Sequence, residues 1–179
     1  MDRFKKGSGW FFSTPFFENK NKILEELMKY YLNNVNHIDK FKKLKYPLNK
    51  MLVVGSGIMA LLGLKKNDDI DVWVTDDVFK KMAKDKYLKP VQKHGRLFYE
   101  THDGVIEISN IFPCTKGNIS KYLQNATVVN GIHFFSPTDL IEWKKCMGRP
   151  KDLKDIKTLE RYIMKNPISE LLDYLSVSS

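Results

Sequence analysis

Two aspartates separated by one residue, Asp69-Ile70-Asp71, open an apolar run that continues through Val72-Trp73-Val74. In a strand alternate side chains share a face, so Asp69 and Asp71 project together while Ile70 and Val72 turn the other way. Crowded carboxylates repel each other, and burying them is costly unless a cation sits between them. The natural occupant is a divalent metal. Upstream, the apolar run Met51-Leu52-Val53-Val54 stops at Gly55-Ser56-Gly57. Glycine lets the backbone approach an anion closely, and a helix that starts there presents unpaired N–H groups and the positive end of its dipole. Ser56 adds a hydroxyl donor. Residues 51–74 thus read as strand, phosphate-binding turn, helix and a second strand bearing two acids.

A third acid stands in Val105-Ile106-Glu107-Ile108, flanked by apolar residues on both sides. Asp103-Gly104 lies between two strand-like runs, 96–101 and 105–109, which is a hairpin signal. If the second run lies beside the strand holding Asp69 and Asp71, Glu107 completes a three-carboxylate cluster. The ordered set of Gly55-Ser56, Asp69-Ile70-Asp71-Val72 and Glu107 resembles the signature of the nucleotidyltransferase superfamily, which includes DNA polymerase beta and the small antibiotic nucleotidyltransferases. That resemblance spans residues 50–112. A weaker one follows at 136–160, where Ser136-Pro137-Thr138-Asp139-Leu140 and then Gly148-Arg149-Pro150-Lys151-Asp152 and Asp155-Ile156 are similar to the carboxyl-terminal helical segment of many small bacterial members.

The resemblance implies an α/β (α+β) fold: a nucleotidyltransferase-like mixed sheet with flanking helices and a C-terminal helical segment. It implies that Asp69 and Asp71 bind Mg²⁺ or Mn²⁺, and that Glu107 either binds a second ion or accepts the proton of an acceptor hydroxyl. Gly55 and Ser56 would hold the β- and γ-phosphates of a nucleoside triphosphate. Lys144 and Arg149 are phosphate or substrate contacts by charge, or else solvated surface residues. The implied reaction moves a nucleoside monophosphate to a hydroxyl and releases pyrophosphate. Its acceptor stays open among a small molecule, tRNA or another nucleic acid, and a protein side chain. Many members carry Asp at the third position, and Glu107 is longer by one methylene, which alters its reach to a metal or to a proton.

Two other readings compete. Gly55-x-Gly57-x-x-Ala60 after a strand also fits the loose dinucleotide-binding fingerprint, with Asp76 or Asp77 as the ribose-binding acid. It leaves Asp69, Asp71 and Glu107 without a role, and hairpin signals stand where further βαβ units are needed. The third possibility is a module that binds a nucleotide, a nucleic acid or a partner without catalysis, such as one half of a toxin–antitoxin pair.

The elements that must position these residues fit one domain of 179 residues. Residues 1–48 form an N-terminal strap and helices, 49–135 the catalytic sheet, and 136–179 the C-terminal helices. Hydrophobic content of 42% and aromatic content of 12% specify a globular chain. The net charge of +9 speeds encounter with an anion, yet the lysines are dispersed and form no single stripe. Cys114 and Cys146 lie at no metal-ligand spacing, one possible pair is no disulfide framework, and a reducing, cytoplasmic setting fits best. No stretch approaches transmembrane length, so no membrane partner is expected. Trp10, Phe11, Phe12, Phe16 and Phe17 form an aromatic strap over the core or a stacking surface for a base. Helices are expected at 21–35 and 38–44, after Thr75 or Asp76, at 117–123, from Ser136 to Gly148, again where 149–156 leads into another helix, and at 167–179. Asn130-Gly131 marks a second hairpin, and His37, His94, His102 and His133 are ordinary surface or turn residues.

Overall fold

The structure is a computed structural model that describes residues 15–115 and 118–165, with the backbone only at 15–21 and 24. The strands are β1 (Met51–Val53), β2 (Ile70–Val74), β3 (Leu88–Lys93), β4 (Arg96–Thr101), β5 (Ile106–Ser109), β6 (Thr127–Val129) and β7 (Ile132–Phe134). They form one sheet in the order β3-β4-β5-β2-β1-β7-β6. Two pairs, β2 with β5 and β1 with β7, are parallel, and the rest are antiparallel. The expected α/β class, a mixed sheet with flanking helices, is what the chain adopts.

β1 lies next to the middle of the sheet, which explains why its residues are continuously apolar: Met51 to Val54 are at most 1% exposed. The chain leaves β1 through Gly55, whose φ of +62° is open to glycine at little cost. It enters α3 (Gly57–Leu61), where a Cβ on Gly57 would run into the Val53 side chain. It then returns along β2, antiparallel to β1 with Met51 opposite Val74. A dinucleotide-binding unit needs those two strands parallel, so the antiparallel pairing removes that reading. Its candidate ribose acids are also engaged: Asp77 accepts from Lys50 at 2.8 Å and Asp76 from Asn110 at 2.8 Å.

Both expected hairpins form, β4–β5 around Asp103-Gly104 and β6–β7 around Asn130-Gly131, with Asn130 and Gly131 at φ +50° and +73°. A third, β3–β4, was not expected. It turns at His94-Gly95, φ +51° and +71°, and carries Pro90 within β3. Proline cannot donate to a ladder, which is tolerated because β3 is an edge strand.

The remaining helices are α1 (Pro15–Asn33), α2 (Ile38–Lys43), α4 (Asp76–Met82), α5 (Ile119–Gln124), α6 (Pro137–Met147) and α7 (Pro150–Lys165). Helix α1 turns only part of its apolar set to the core. Leu32 is 2% exposed, whereas Ile23, Leu27 and Tyr30 are 51%, 42% and 65% exposed. Helix α6 begins as its sequence predicts: Ser136 Oγ accepts the Asp139 N–H at 3.1 Å and donates to the Asp139 carboxylate at 2.6 Å. Gly148 closes it at φ +61°. Its Trp143 stacks on Phe112, with ring centroids 4.8 Å apart, and donates Nε1–H to Pro113 O at 2.8 Å. Beside that contact Cys114 and Cys146 form a disulfide with Cα atoms 5.9 Å apart, in place of the unpaired thiols expected. No helix among the described residues is long and apolar enough to cross a membrane. The aromatic strap and the expected helix at 167–179 lie outside the described side chains.

Candidate active site

Strand register sets the centre of the site. Asp71 on β2 is opposite Glu107 on β5, Glu107 is opposite Glu100 on β4, and Glu100 is opposite Lys89 on β3. Residues opposite each other in a ladder project from the same face, so four charged side chains stand abreast across four strands. Asp69, two residues before Asp71 and just ahead of β2, is close enough that its charge acts on Asp71. Glu107 therefore lies on the same side of the sheet as Asp71.

Like charges directly opposite destabilise a ladder. The conflict is resolved at one end of the row. Lys93 reaches back along β3 and its ammonium contacts both Glu100 and Glu107, while Lys89 Nζ stands 3.7 Å from Glu100. Hydrogen bonds to Glu100 and Glu107 hold the Lys93 ammonium well above the ordinary lysine range. The other end has no such relief: among the described residues neither Asp69 nor Asp71 makes an ion pair. Burial first, then the charges of Asp69 and Glu107, push the Asp71 carboxyl up to about 7 against the opposing pull of Lys93 and Arg149.

Gly55 closes this end. A Cβ there would sit 2.5 Å from Asp71 Oδ2, so glycine is required both for the left-handed turn and for the approach of the carboxylate. Ser56 follows with a hydroxyl that makes no capping bond. Helix α3 has five residues, so its dipole is small. The approach to β2 is pinned from the α1–α2 junction. Buried Asn67 accepts the Asn36 N–H at 2.9 Å and donates to Asp69 O at 2.9 Å, while Asn36 Nδ2 donates to Asn67 O at 2.6 Å. His37 sits in that junction at φ +65°, a turn residue as expected, whereas His133 departs from that expectation: it lies within β7 with its Nδ1 buried.

The two basic residues expected at a phosphate are placed differently from each other. Lys144 is 4% exposed and donates to Asp152 at 3.0 Å and Asp155 at 2.9 Å, so it joins α6 to α7 inside the protein and is not presented to a ligand. Arg149 grips Asp152 through Nε and Nη2 at 2.7 and 3.1 Å, lies over the Trp143 ring at 5.2 Å, and is near enough to Asp71 to lower its pKa. Burial would raise the Asp152 carboxyl, but the bonds from Arg149 and Lys144 outweigh it and hold it at about 2.

The structure thus gathers Gly55, Ser56, Asp69, Asp71 and Glu107, sets Arg149 at the border, and leaves Lys144 in a buried network. Among the described residues no group of three or more His, Cys, Asp or Glu side chains is arranged to hold a metal ion. Lys93 takes one oxygen of the Glu107 carboxylate, Oε2. Sequence reasoning missed Lys93, Glu100, Asn67, Asp152 and Asp155. For Glu100 a signal existed, since the Asp103-Gly104 hairpin places it opposite Glu107. Compared with known proteins, the chain matches no family model, no curated protein and no solved structure.

Proposed function

We propose that the chain is a metal-dependent nucleotidyltransferase that moves a nucleoside monophosphate from a nucleoside triphosphate to a hydroxyl acceptor, releasing pyrophosphate. The observation that supports this most is the unneutralised end of the carboxylate row: Asp71, pushed up to about 7, lies beside Asp69 and against the Gly55 turn. Asp69 and Asp71 fit Mg²⁺ or Mn²⁺ as hard oxygen donors whose mutual repulsion a cation relieves. The chemistry supplied by such an ion is neutralisation of charge on phosphoryl oxygens. The chain's own groups do the rest. Backbone N–H groups of the Gly55-Ser56 turn and the Ser56 hydroxyl hold phosphate oxygens, and the positive field of Arg149 favours the same anion. Glu107, opposite Asp71 in the ladder, would take the proton of the acceptor hydroxyl.

The acceptor belongs to any of three classes: a small molecule, tRNA or another nucleic acid, or a protein side chain. A cytoplasmic setting is part of the same proposal, and there the Cys114–Cys146 pair would stand as two thiols.

Incubation with each labelled nucleoside triphosphate and Mg²⁺, across a panel of acceptors, is expected to release pyrophosphate. Asp69→Asn is expected to reduce turnover by at least about a hundredfold, the usual scale for losing a group that stabilises transition-state charge. Turnover that survives the substitution refutes the assignment. A second reading draws on Lys93, which places a fixed cation in the carboxylate row. In that reading the chain binds a nucleotide, nucleic acid or partner, as a toxin–antitoxin component would, without turnover. Nucleotide binding that Asp69→Asn spares, with no pyrophosphate released by either protein, would favour it.

A further inference from the structure

The reaction proposed above gives no task to the lysine in the carboxylate row. One ammonium group, Lys93 Nζ, contacts Glu100 and Glu107 together. Glu100 anchors it there: its side chain is 8% exposed, and its other cation, Lys89, is more distant at 3.7 Å. Withdrawing Lys93 would leave a buried carboxylate with one loose partner, which is strongly unfavourable. Glu107, at 27% exposed, is the solvent-side end of the same contact. Charge balance agrees. The two lysines offset Glu100 and Glu107, Arg149 is committed to Asp152, and the uncompensated charge is that of Asp69 and Asp71, which one divalent ion balances.

We propose that Lys93 is a resident cation of the site, so that the protein takes a single divalent ion on Asp69 and Asp71, and Glu107 is no metal ligand. The inference rests on the metal-binding reading of the aspartate pair. Lys93 makes Glu107 a fixed neighbour of the ion, held in orientation by an ammonium group that stays in place whether or not the metal is bound. Lys93 is a positioning residue here, acting through Glu107.

Titration of the whole chain with Mn²⁺ alone, followed by electron paramagnetic resonance of the free ion, tests this without any turnover. The wild type is expected to take up one Mn²⁺. Glu107→Gln is expected to hold that ion within about threefold of the wild-type affinity, whereas loss of a ligand or its support costs about tenfold or more. Lys93→Met, which frees Glu107, is expected to take up a second Mn²⁺, and Lys93→Arg to remain at one. Two ions in the wild type, or a tenfold loss in Glu107→Gln, overturns the inference and leaves the metal reading standing. No uptake by the wild type overturns both. Should Lys93→Met fail to fold by circular dichroism, the Glu107→Gln comparison decides alone.

Discussion

Replacing Asp71 by asparagine is expected to stabilise the metal-free protein and, under the proposed function, to end turnover. In the folded chain the Asp71 carboxyl is pushed up to about 7, by burial and then by Asp69 and Glu107. An aspartate in the unfolded chain titrates near 4. A carboxyl whose folded pKa is the higher of the two binds its proton more tightly when folded. The stability it contributes is therefore complete below about pH 4 and is lost as pH rises through 7. Integrating that difference gives a cost of ionised Asp71 of about 4 kcal/mol at pH 8 and about 1.5 kcal/mol at pH 5. Asp71 keeps partial solvent contact, and screening there brings the pH 8 figure nearer to about 2 kcal/mol. The asparagine side chain keeps the shape and carries no charge. In EDTA, Asp71→Asn is thus expected to melt roughly 4–8 °C above the wild type at pH 8, with the gap narrowing toward pH 5. Adding Mg²⁺ should raise the wild type alone and shrink the gap. The measurement is thermal and urea unfolding of both proteins at the two pH values. A variant less stable than wild type at pH 8, or a gap that fails to widen between pH 5 and 8, refutes the account of Asp71 as a strained carboxylate.

Three further substitutions probe other parts of the structure. Gly55→Ala puts a Cβ 2.5 Å from Asp71 Oδ2 at a φ of +62°, and urea denaturation should show a loss of about 1–3 kcal/mol together with weaker nucleotide binding; an unchanged midpoint would contradict the close approach. Lys144→Met removes the ammonium shared by Asp152 and Asp155, which keep Arg149 and Lys65, and should cost about 1–3 kcal/mol. Because Asp152 is held at about 2, its contribution is present above pH 4 and lost as pH falls toward 2, so the variant should lose most at neutral pH and converge on wild type in acid. A stable Lys144→Met protein with weakened nucleotide binding would return that lysine to the ligand. Cys146→Ser opens a cross-link between residues 32 apart and should cost about 3–4 kcal/mol, equalled by dithiothreitol on the wild type, so that the two proteins unfold alike when compared in dithiothreitol.

Much of the central architecture was legible because it is written in local chemistry. A continuous apolar run, a glycine needing positive φ and a two-residue acid spacing suffice for β1, the Gly55 turn and β2. Asp103-Gly104 and Asn130-Gly131 announce their hairpins for the same reason. What the sequence concealed depends on distance or burial. β3 reads as broken by Pro90, and it is tolerated as a strand because no strand among the described residues lies on its outer side. Lys93 is registered against Arg96, so a lysine that bends back to Glu100 and Glu107 leaves no mark in the ladder. Lys144 carries the charge expected of a phosphate contact, but a helical lysine facing solvent and one facing Asp152 and Asp155 have the same spelling. The aspartates three apart on α7, on one helical face, were the available hint. The cysteine pairing arises from the loop after β5 folding against α6, a tertiary event. In α1, apolar residues occur on both sides of the helix, so periodicity alone did not say which side the core would take.

The outermost strands have a consequence for the protein's behaviour in company. A sheet rim offers unpaired N–H and C=O groups on which a foreign chain can grow, and long flat rims seed fibrils. On one rim Pro90 deletes a donor within β3 and Lys89 and Lys93 add charge, while the other rim, β6, has only three residues. Templated growth therefore finds an interrupted ledge on one side and a stub on the other, and the molecule can be crowded without its sheet being extended by its neighbours.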